Sequence, residues 1–288
     1  MINFMKYKWI YFLISSAVIV PGLISLFVFG LKPSIDFTGG SRWELGFEKD
    51  VKVEELGKII NEEEVEVSSI VTTGAKRYLI KMKFIEEKQR VALKERIEKN
   101  FGKVEELRFE TIGPVLGREL LVKTVTALVL AALLILAYIA WQFKNWSFGI
   151  SATLATIHDS LVILGSFSLL GRFFGFEVDV LFVTALLTIL SFSVHDTIVV
   201  YDRIRESLKR FPGTPFETLV NKAISETLVR SLNNSLTVIF MLISLVVLGG
   251  DTIRQFAIAL LIGTVSGTYS SIFTAAPILA VWKNRLKK

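Results

Sequence analysis

The chain has 288 residues, of which 52% are hydrophobic and 21% charged, so it suits neither an ordinary soluble enzyme nor a protein buried wholly in lipid. Its net charge of +6 is unevenly spread, because residues 31–119 carry a net −1 and the remaining residues a net +7. The absence of cysteine excludes disulfides, thiol nucleophiles and cysteine-based metal sites, and the absence of a Walker A phosphate loop argues against a self-contained ATPase.

The first element is an uncharged apolar segment over residues 9–30. A spanning helix needs about 20 apolar residues to cross about 30 Å of hydrocarbon. A cleaved signal sequence is the alternative, since Lys6 and Lys8 precede the segment. Signal sequences have an apolar run of only about 7–15 residues and a small-residue cleavage site, so we predict a retained span.

Residues 31–119 follow as a water-soluble insert that opens with Asp36-Phe37-Thr38-Gly39-Gly40. The paired glycines permit positive φ, so this motif is predicted to set the turn into a first strand. Alternating and helical spacing then predict a β-α-β-β-α-β order, the ferredoxin-like arrangement. The strands are predicted at residues 41–47, 67–73, 77–84 and 104–112, the helices at residues 53–63 and 86–100, and the buried face of the third strand at Tyr78, Ile80, Met82 and Phe84.

Five further segments are long and apolar enough to span a membrane. They lie at residues 124–143, 147–170, 180–201, 231–250 and 255–282, and only Asp159 and Asp196 interrupt them as acidic residues. With the N-terminus inside, thirteen Lys and Arg flank the inner ends, against Arg172 and Arg254 in the short outer loops. We therefore predict a multi-pass protein of the cytoplasmic membrane, with both termini cytoplasmic and residues 31–119 extracytoplasmic. The basic composition reflects this orientation and is not interpreted as nucleic-acid binding.

The predicted domains are a tail and first span at residues 1–30, the α+β insert at 31–119, and five spans at 120–288 with a cytoplasmic loop at 202–230. In that loop, Thr214-Pro215-Phe216-Glu217 resembles a capping box with proline at the first helical position. It predicts a helix that reaches the fifth span. This helix is either an ordinary connector or a docking surface for a cytoplasmic partner.

Ionisable residues at membrane depth cost at least about 2.5 kcal/mol each on insertion scales, so they are candidate functional residues. His158 and Asp159 lie about 18 Å along the third span, near mid-membrane. His195 and Asp196 lie nearer the cytoplasmic end of the fourth span. Two His-Asp pairs also suggest a metal site, but adjacent helix residues point about 100° apart and rarely share one ion. A structural role, in which each pair hydrogen-bonds a neighbouring helix, is the other alternative.

One face of the fifth span is polar, because Arg230, Asn233, Asn234 and Thr237 fall at helical spacing. Arg230 lies at about the same membrane depth as Asp196, so an Asp196–Arg230 pair is geometrically possible. Alternatively, Arg230 only extends to the membrane surface and sets orientation. In the sixth span, Gly263 and Gly267 form a small-residue motif that predicts close helix contact, either within the chain or with a partner.

Several segments together resemble the SecF branch of the SecD/SecF family of protein-export membrane proteins. The resemblance covers essentially the whole chain and is most specific in the fourth span. The segments are Asp36-Phe37-Thr38-Gly39-Gly40, Ile112-Gly113-Pro114-Val115-Leu116-Gly117, His158-Asp159, the twelve residues from His195 to Glu206, and Arg230-Ser231-Leu232-Asn233-Asn234-Ser235.

The resemblance implies membership of the resistance–nodulation–division superfamily, pairing with a SecD-like subunit, and a position beside the SecYEG channel. It further implies use of the proton gradient to draw secreted polypeptides across the membrane. An aspartate of the fourth span and an arginine of the fifth are implicated in proton movement in this family and match Asp196 and Arg230. His195 departs from the family, where asparagine is more usual, and the coupling ion, proton or sodium, stays open.

From these patterns we expect an integral membrane transport subunit with no enzymatic activity, cofactor or metal. Asp196 would bind the translocating proton, Arg230 would modulate it, and His195, His158 and Asp159 would serve as relay or hydrogen-bond partners. Asp36, Gly39, Gly40, Gly113, Pro114, Gly263 and Gly267 are expected to be structural. The alternative functions are a proton-coupled exporter of small molecules or lipids, and an intramembrane hydrolase, for which the His-Asp spacing is unfavourable. The expected partners are the SecD-like subunit, SecYEG, the translocating polypeptide and membrane lipid.

Overall fold

The computed structural model describes residues 3–63, 65–143 and 145–285. Lys144, Lys287 and Lys288, on which the orientation prediction partly relies, lie outside these ranges. In chain order the helices are α1 (Lys8–Phe29), α2 (Ile35–Thr38), α3 (Val53–Asn61), α4 (Glu87–Phe101), α5 (Pro114–Gln142), α6 (Trp146–Phe174), α7 (Val180–Arg210), α8 (Phe216–Leu248), α9 (Asp251–Ser270) and α10 (Ala276–Arg285). The strands are β1 (Gly40–Phe47), β2 (Val67–Gly74), β3 (Arg77–Met82) and β4 (Val104–Ile112).

Within these ranges, six helical segments are long and apolar enough to cross a membrane, which confirms the predicted count. Their most apolar windows have mean hydropathies from 1.5 to 2.5. A π-helical turn, Ser271–Ala275, joins α9 to α10, so that these two helices make the last span together. The chain is therefore a multi-pass membrane protein with a small α+β insert between its first two spans.

Contacts divide the chain into two compact units, Pro33–Thr126 and the remainder. In the larger unit, two apolar clusters are separated by a polar layer. The proximal cluster lies near the α7–α8 turn and includes Phe148, Ile204 and Leu279. The distal cluster lies toward the other end and includes Phe167 and Ala259. The polar layer holds both Asp159 and Asp196.

Glycines bring the backbones of neighbouring spans together. A Cβ on Gly165 of α6 would lie 2.6 Å from the Cα of Gly22 on α1, so these two helices touch at backbone level. A Cβ on Gly263 of α9 would lie 2.1 Å from Ile189 of α7, and one on Gly267 would lie 3.3 Å from Ser193 of the same helix. The small-residue motif of the last span is thus an internal contact. Of the two alternatives that the sequence left open, the structure shows the contact within the chain.

The start of α8 differs in detail from the prediction. The helix begins at Phe216, and Pro215 occupies the N-cap without a side-chain capping bond, so the predicted capping box at Thr214 does not form. Glu217, the residue expected to complete the box, instead pairs with Lys8 of α1 at 2.8 Å. The helix then runs without a break to Leu248, so the loop helix and the fifth span are one element, as expected.

The Pro33–Thr126 unit has a four-stranded antiparallel sheet in the order β2-β3-β1-β4, with α3 and α4 as its two longer helices. This confirms the ferredoxin-like arrangement. Tyr78, Ile80 and Met82 of β3 are buried, whereas Phe84 is 42% exposed because the strand ends at Met82. The prediction that Phe84 is buried is therefore wrong. β1 contributes Trp43, Leu45 and Phe47 to the core of this unit.

Two glycine motifs pack against each other in this unit. Asp36 lies in the short helix α2, and Gly39 and Gly40 leave it with φ of 72° and 130° to start β1, the predicted turn. A Cβ on Gly39 would lie 2.7 Å from the Cα of Pro114, and a Cβ on Gly117 would lie 2.7 Å from the nitrogen of Gly39. The entry to β1 thus rests directly on the chain at Gly113 and the start of α5.

Candidate functional site in the membrane helices

Asp196 of α7 is buried in the polar layer, with 7% of its surface exposed. The Ser231 hydroxyl of α8 lies 2.7 and 2.9 Å from its two carboxylate oxygens. The Ser271 hydroxyl, at the start of the π-helical turn, also donates to Oδ2. Serine side chains from two other elements therefore hold this carboxyl group.

Asp159 of α6 is fully buried, with more partners than Asp196. Ser193 of α7 and Ser270 of α9 donate to Oδ2, and Ser266 of α9 donates to Oδ1 at 2.6 Å. The neighbouring His158 places Nδ1 3.0 Å from Oδ1. Among the described residues, no Lys or Arg forms an ion pair with either aspartate.

Two consecutive residues of the last span donate hydrogen bonds to the carboxyl groups of Asp159 and Asp196. Ser270 contacts Asp159 and Ser271 contacts Asp196. Adjacent helix residues point about 100° apart, so they can reach acceptors on two different helices. Tyr201 of α7 supports the other end of the π-helical turn, since its hydroxyl lies 3.0 Å from the Ala275 carbonyl and 2.8 Å from the Ser151 hydroxyl.

His158 connects Asp159 to the first span, because its Nε2 lies 3.0 Å from the Ser15 hydroxyl. Ser15 in turn lies 3.5 Å from the Tyr269 hydroxyl, which donates to the Tyr11 carbonyl at 2.8 Å. These groups border a cavity of about 420 Å³ between α1, α6 and α9. Sequence reasoning missed Ser15, because a single serine in an apolar span gives no signal of its distant partner.

Ser15, His158 and Asp159 are hydrogen-bonded in the order found in a hydrolase triad. The spacing of the His-Asp pairs in the sequence had argued against a hydrolase. Further chemistry would be required for acyl transfer, namely donors that stabilise an oxyanion beside the nucleophile. Ser15 lies inside α1, where backbone N–H groups bond to carbonyls four residues earlier. The backbone N–H groups at Ser15 are therefore engaged within the helix and do not form an oxyanion hole.

Arg230 and His195 both point away from the polar layer. Arg230 is exposed, next to the inward-facing Ser231, and it borders a cavity of about 470 Å³ with Glu226 and Asp202. Among the described residues no ion pair or hydrogen bond joins Arg230 to Asp196, so the structure does not form the pair that the sequence made possible. His195 is also exposed, although Asp196 beside it is buried.

Exposed polar residues line one face of α7 and one face of α8 within the spans, and we call these two faces together the α7–α8 polar face. Its members are Thr184, Thr188, Ser191 and His195 of α7 and Arg230, Asn233, Asn234 and Thr237 of α8. Polar side chains at this depth ordinarily face a protein interior or a water-filled cavity. Within the part of the chain that the structure describes, no three His, Asp or Glu side chains converge as a metal site would require.

Comparison with known proteins identifies two family patterns in this chain. Residues 92–285 match the pattern described as "Protein export membrane protein SecD/SecF, C-terminal", and residues 24–51 match the SecD/SecF GG motif. The second match contains Gly39 and Gly40.

Similar proteins align over nearly the full length. The protein translocase subunit SecF of Thermobaculum terrenum is 44% identical over 99% of this chain and 95% of its own length. That of Anaerolinea thermophila is 40% identical, again over 99% and 95%. The crystal structure of SecDF, a translocon-associated membrane protein from Thermus thermophilus, superposes with a TM-score of 0.87 and 36% identity, over 99% of this chain and 39% of that one.

Proposed function

Because the chain belongs to the SecD/SecF family of protein-export membrane proteins, as a SecF-type translocase subunit, we propose that it uses the proton motive force to promote translocation of secreted polypeptides. It does so together with a SecD-like partner, beside a SecYEG channel in the cytoplasmic membrane. Both termini are cytoplasmic and the Pro33–Thr126 unit is extracytoplasmic. Full-length relatives named as protein translocase subunits favour this function over export of small molecules or lipids.

The observation that carries the proposal is the setting of Asp196. It is buried at membrane depth, and among the described residues its carboxyl group is hydrogen-bonded by serine hydroxyls alone. A serine hydroxyl can donate to a carboxylate or accept from a protonated carboxyl, so the pocket satisfies both states. Asp196 is accordingly the residue that binds and releases the translocating proton.

Arg230 modulates this proton from the α7–α8 polar face. It lies one residue from Ser231, the donor to Asp196, and faces outward into the cavity that it shares with Asp202 and Glu226. A guanidinium that approaches the carboxyl group favours its charged form, and one that withdraws favours the neutral acid in a low dielectric. Movement of α8 against α7 thus loads and unloads the proton.

A SecD-like partner covers the α7–α8 polar face. Fused relatives support such a partner: this chain aligns with 36% of the SecDF of Thermus thermophilus and 39% of that of Bacillus subtilis. An imidazole and a guanidinium exposed to lipid would be costly, and a second set of helices would supply acceptors for them. His195 and Arg230 are therefore partner-facing residues.

The energy of one proton is sufficient for such a cycle. A charge that crosses about 150 mV releases roughly 3.5 kcal/mol, at about 2.3 kcal/mol per 100 mV. This shifts a two-state equilibrium by about 300-fold. The gradient can bias the conformation of the export complex without ATP.

The deciding experiment is Asp196→Asn, assayed by export into inverted membrane vesicles that also contain the partner. The change keeps the side-chain shape and removes titration, so stimulation of export by the proton gradient should be lost while assembly with the partner persists. Asp179→Asn is the matched control, since Asp179 caps α7 and asparagine caps helices equally well. Full stimulation in Asp196→Asn vesicles would refute the role of Asp196 as the proton carrier.

A further inference from the structure

Asp159, which the sequence suggested only as a relay or hydrogen-bond partner, is a buried acid that the mechanism proposed for Asp196 does not use. It has no exposed surface, and its partners are the hydroxyls of Ser193, Ser266 and Ser270 and the imidazole of His158. Each of these groups can donate, and each can also accept once its own proton is directed elsewhere. A fixed guanidinium or ammonium could only donate. The pocket therefore accommodates Asp159 either as a carboxylate or as a protonated acid.

A hydrogen-bonded path leads from Asp159 to the cavity between α1, α6 and α9. His158 bonds Asp159 through Nδ1 and Ser15 through Nε2, each at 3.0 Å. The lining of this cavity of about 420 Å³ is mostly apolar, and its polar groups include His158, Ser15 and Tyr269, which follow one another at hydrogen-bond distance. A water molecule beside these three groups would find the two or more polar partners that a buried water requires.

A second path leads from Asp159 to Asp196 through the last span. Ser270 donates to Asp159 and the next residue, Ser271, donates to Asp196. The helix changes from α to π geometry between these serines, at Ser271–Ala275. Single π-helical turns inside α-helices occur frequently at functional sites. Any rotation of this turn alters the donors of both aspartates at once.

We propose that Asp159 is a second proton-binding residue, loaded from the α1–α6–α9 cavity through Ser15 and His158, and that Ser270 and Ser271 make its charge state and that of Asp196 interdependent. In one transfer, Nε2 of His158 takes a proton from the Ser15 hydroxyl, which regains one from the cavity side, and Nδ1 releases its proton to Asp159. The imidazole stays neutral but changes tautomer, and it returns to the first tautomer when Asp159 gives its proton back along the same path. The first part stands by itself. The coupling rests on the proposed role of Asp196 and deepens it.

Few other titratable groups face this cluster. His158 contributes from α6, Tyr269 from α9 through Ser15, and Asp196 from α7 through the serine pair. The remaining contacts from α1, α7 and α9 are hydroxyls. Titration of Asp159 should therefore respond chiefly to His158 and Asp196.

The test is infrared difference spectroscopy of the full chain, co-purified with its partner in lipid nanodiscs and titrated with acid. Protonated carboxyl groups absorb apart from carboxylates, so each buried aspartate that titrates gives its own band. Asp159→Asn should remove one band and Asp196→Asn another. Because interacting sites shift each other by about one pH unit or more, each variant should also move the midpoint of the remaining band.

The controls separate the two parts of the proposal. Ser270→Ala and Ser271→Ala should reduce the mutual shift, whereas Ser168→Ala, another buried serine of α6 that bonds Ser25 and Gly30, should leave both bands unchanged. If Asp159→Asn leaves every band in place, Asp159 is not a proton site. If both bands disappear as expected but neither midpoint moves, the coupling is wrong.

A further variant covers the case in which Asp159→Asn fails to assemble. Ser266→Ala removes one donor to Asp159 and should move its midpoint by about one pH unit, a tenfold change in proton affinity. An unmoved midpoint would overturn the proposal. None of these readouts depends on export, so loss of gradient stimulation in Asp196→Asn tests the proposed function separately.

Discussion

Two independent features of the structure require glycine at position 39. Its φ of 72° lies in the left-handed region, and a Cβ would lie 2.7 Å from the Cα of Pro114. A side chain can relieve neither constraint by rotating, because both involve backbone. Gly102, after α4, has the first requirement alone: its φ is 86° and nothing lies within 4 Å of an added Cβ.

This contrast predicts different costs for the two alanine substitutions. Gly102→Ala should cost about 1–3 kcal/mol of stability, the penalty for a backbone with positive φ and extended ψ. Gly39→Ala should cost more, because the turn must also move away from Pro114. Proteolysis of the Pro33–Thr126 unit in the full chain, measured against urea concentration, compares them. Equal midpoints for the two variants would contradict the contact between the glycine motifs.

The residues of the site differ in how readily they can be identified from the sequence. Asp159 and Asp196 are readily identified, because an acid in an apolar span is costly wherever it points. The serines that hold them are not, since a hydroxyl can bond its own helix and its distant partner is 107 residues away for Ser266. The outward direction of Arg230 was equally hidden, because it depends on which face of α8 meets α7.

At the scale of elements, α7 and α9 are joined by close packing. Gly263 of α9 receives the side chain of Ile189, and Gly267 lies against Ser193, the donor to Asp159. The packing thus positions a serine of the polar layer. By contrast, Gly149 of α6 has nothing within 4 Å of an added Cβ.

Gly263→Ala should therefore destabilise the helix bundle by about 1–3 kcal/mol, the usual cost of overpacking. Gly149→Ala is the matched control and should be neutral or slightly stabilising, because alanine favours helix more than glycine. Thermal unfolding in detergent compares the two variants. Gly263→Ala should cost less in an Ile189→Ala background than alone, because the added methyl group then has space, and additive losses would argue against this contact.

Elements were predictable where one physical rule dominates. Apolar length alone defined the six spans, since about 20 residues are required to cross the hydrocarbon. Ends were less predictable. The alternation of apolar and polar residues predicted that β3 reaches Phe84, but the pairing of β3 with β1 ends at Met82. The capping box at Thr214 does not form, because Pro215 is the N-cap, and Glu217 instead bonds Lys8 of α1, which is 209 residues away in the sequence.

At the scale of the whole molecule, the α7–α8 polar face implies a missing neighbour. Because the chain has no cysteine, single cysteines can report on this face without removal of native ones. Asn234→Cys should react with a small thiol reagent in the purified chain. With the SecD-like partner bound, the same cysteine should react at least about tenfold more slowly, because the interface excludes the reagent.

Trp141→Cys provides the comparison for this labelling. Trp141 lies on α5, with 77% of its surface exposed, away from the polar face. Its labelling rate in detergent should be the same with and without the partner. Protection of both cysteines would indicate general burial by the complex, and protection of neither would place the partner elsewhere.

The π-helical turn also constrains how the length of this chain can vary over evolution. The last span contributes Ala259 to the distal cluster on one side of the turn, and Leu279 and Ala280 to the proximal cluster on the other. A wider turn accommodates one residue more than an α-helix would. Loss of a single residue there would rotate α10 by about 100° relative to α9 and turn one cluster's side chains toward lipid. Insertions and deletions should therefore be tolerated in the connecting loops and rejected within Ser271–Ala275.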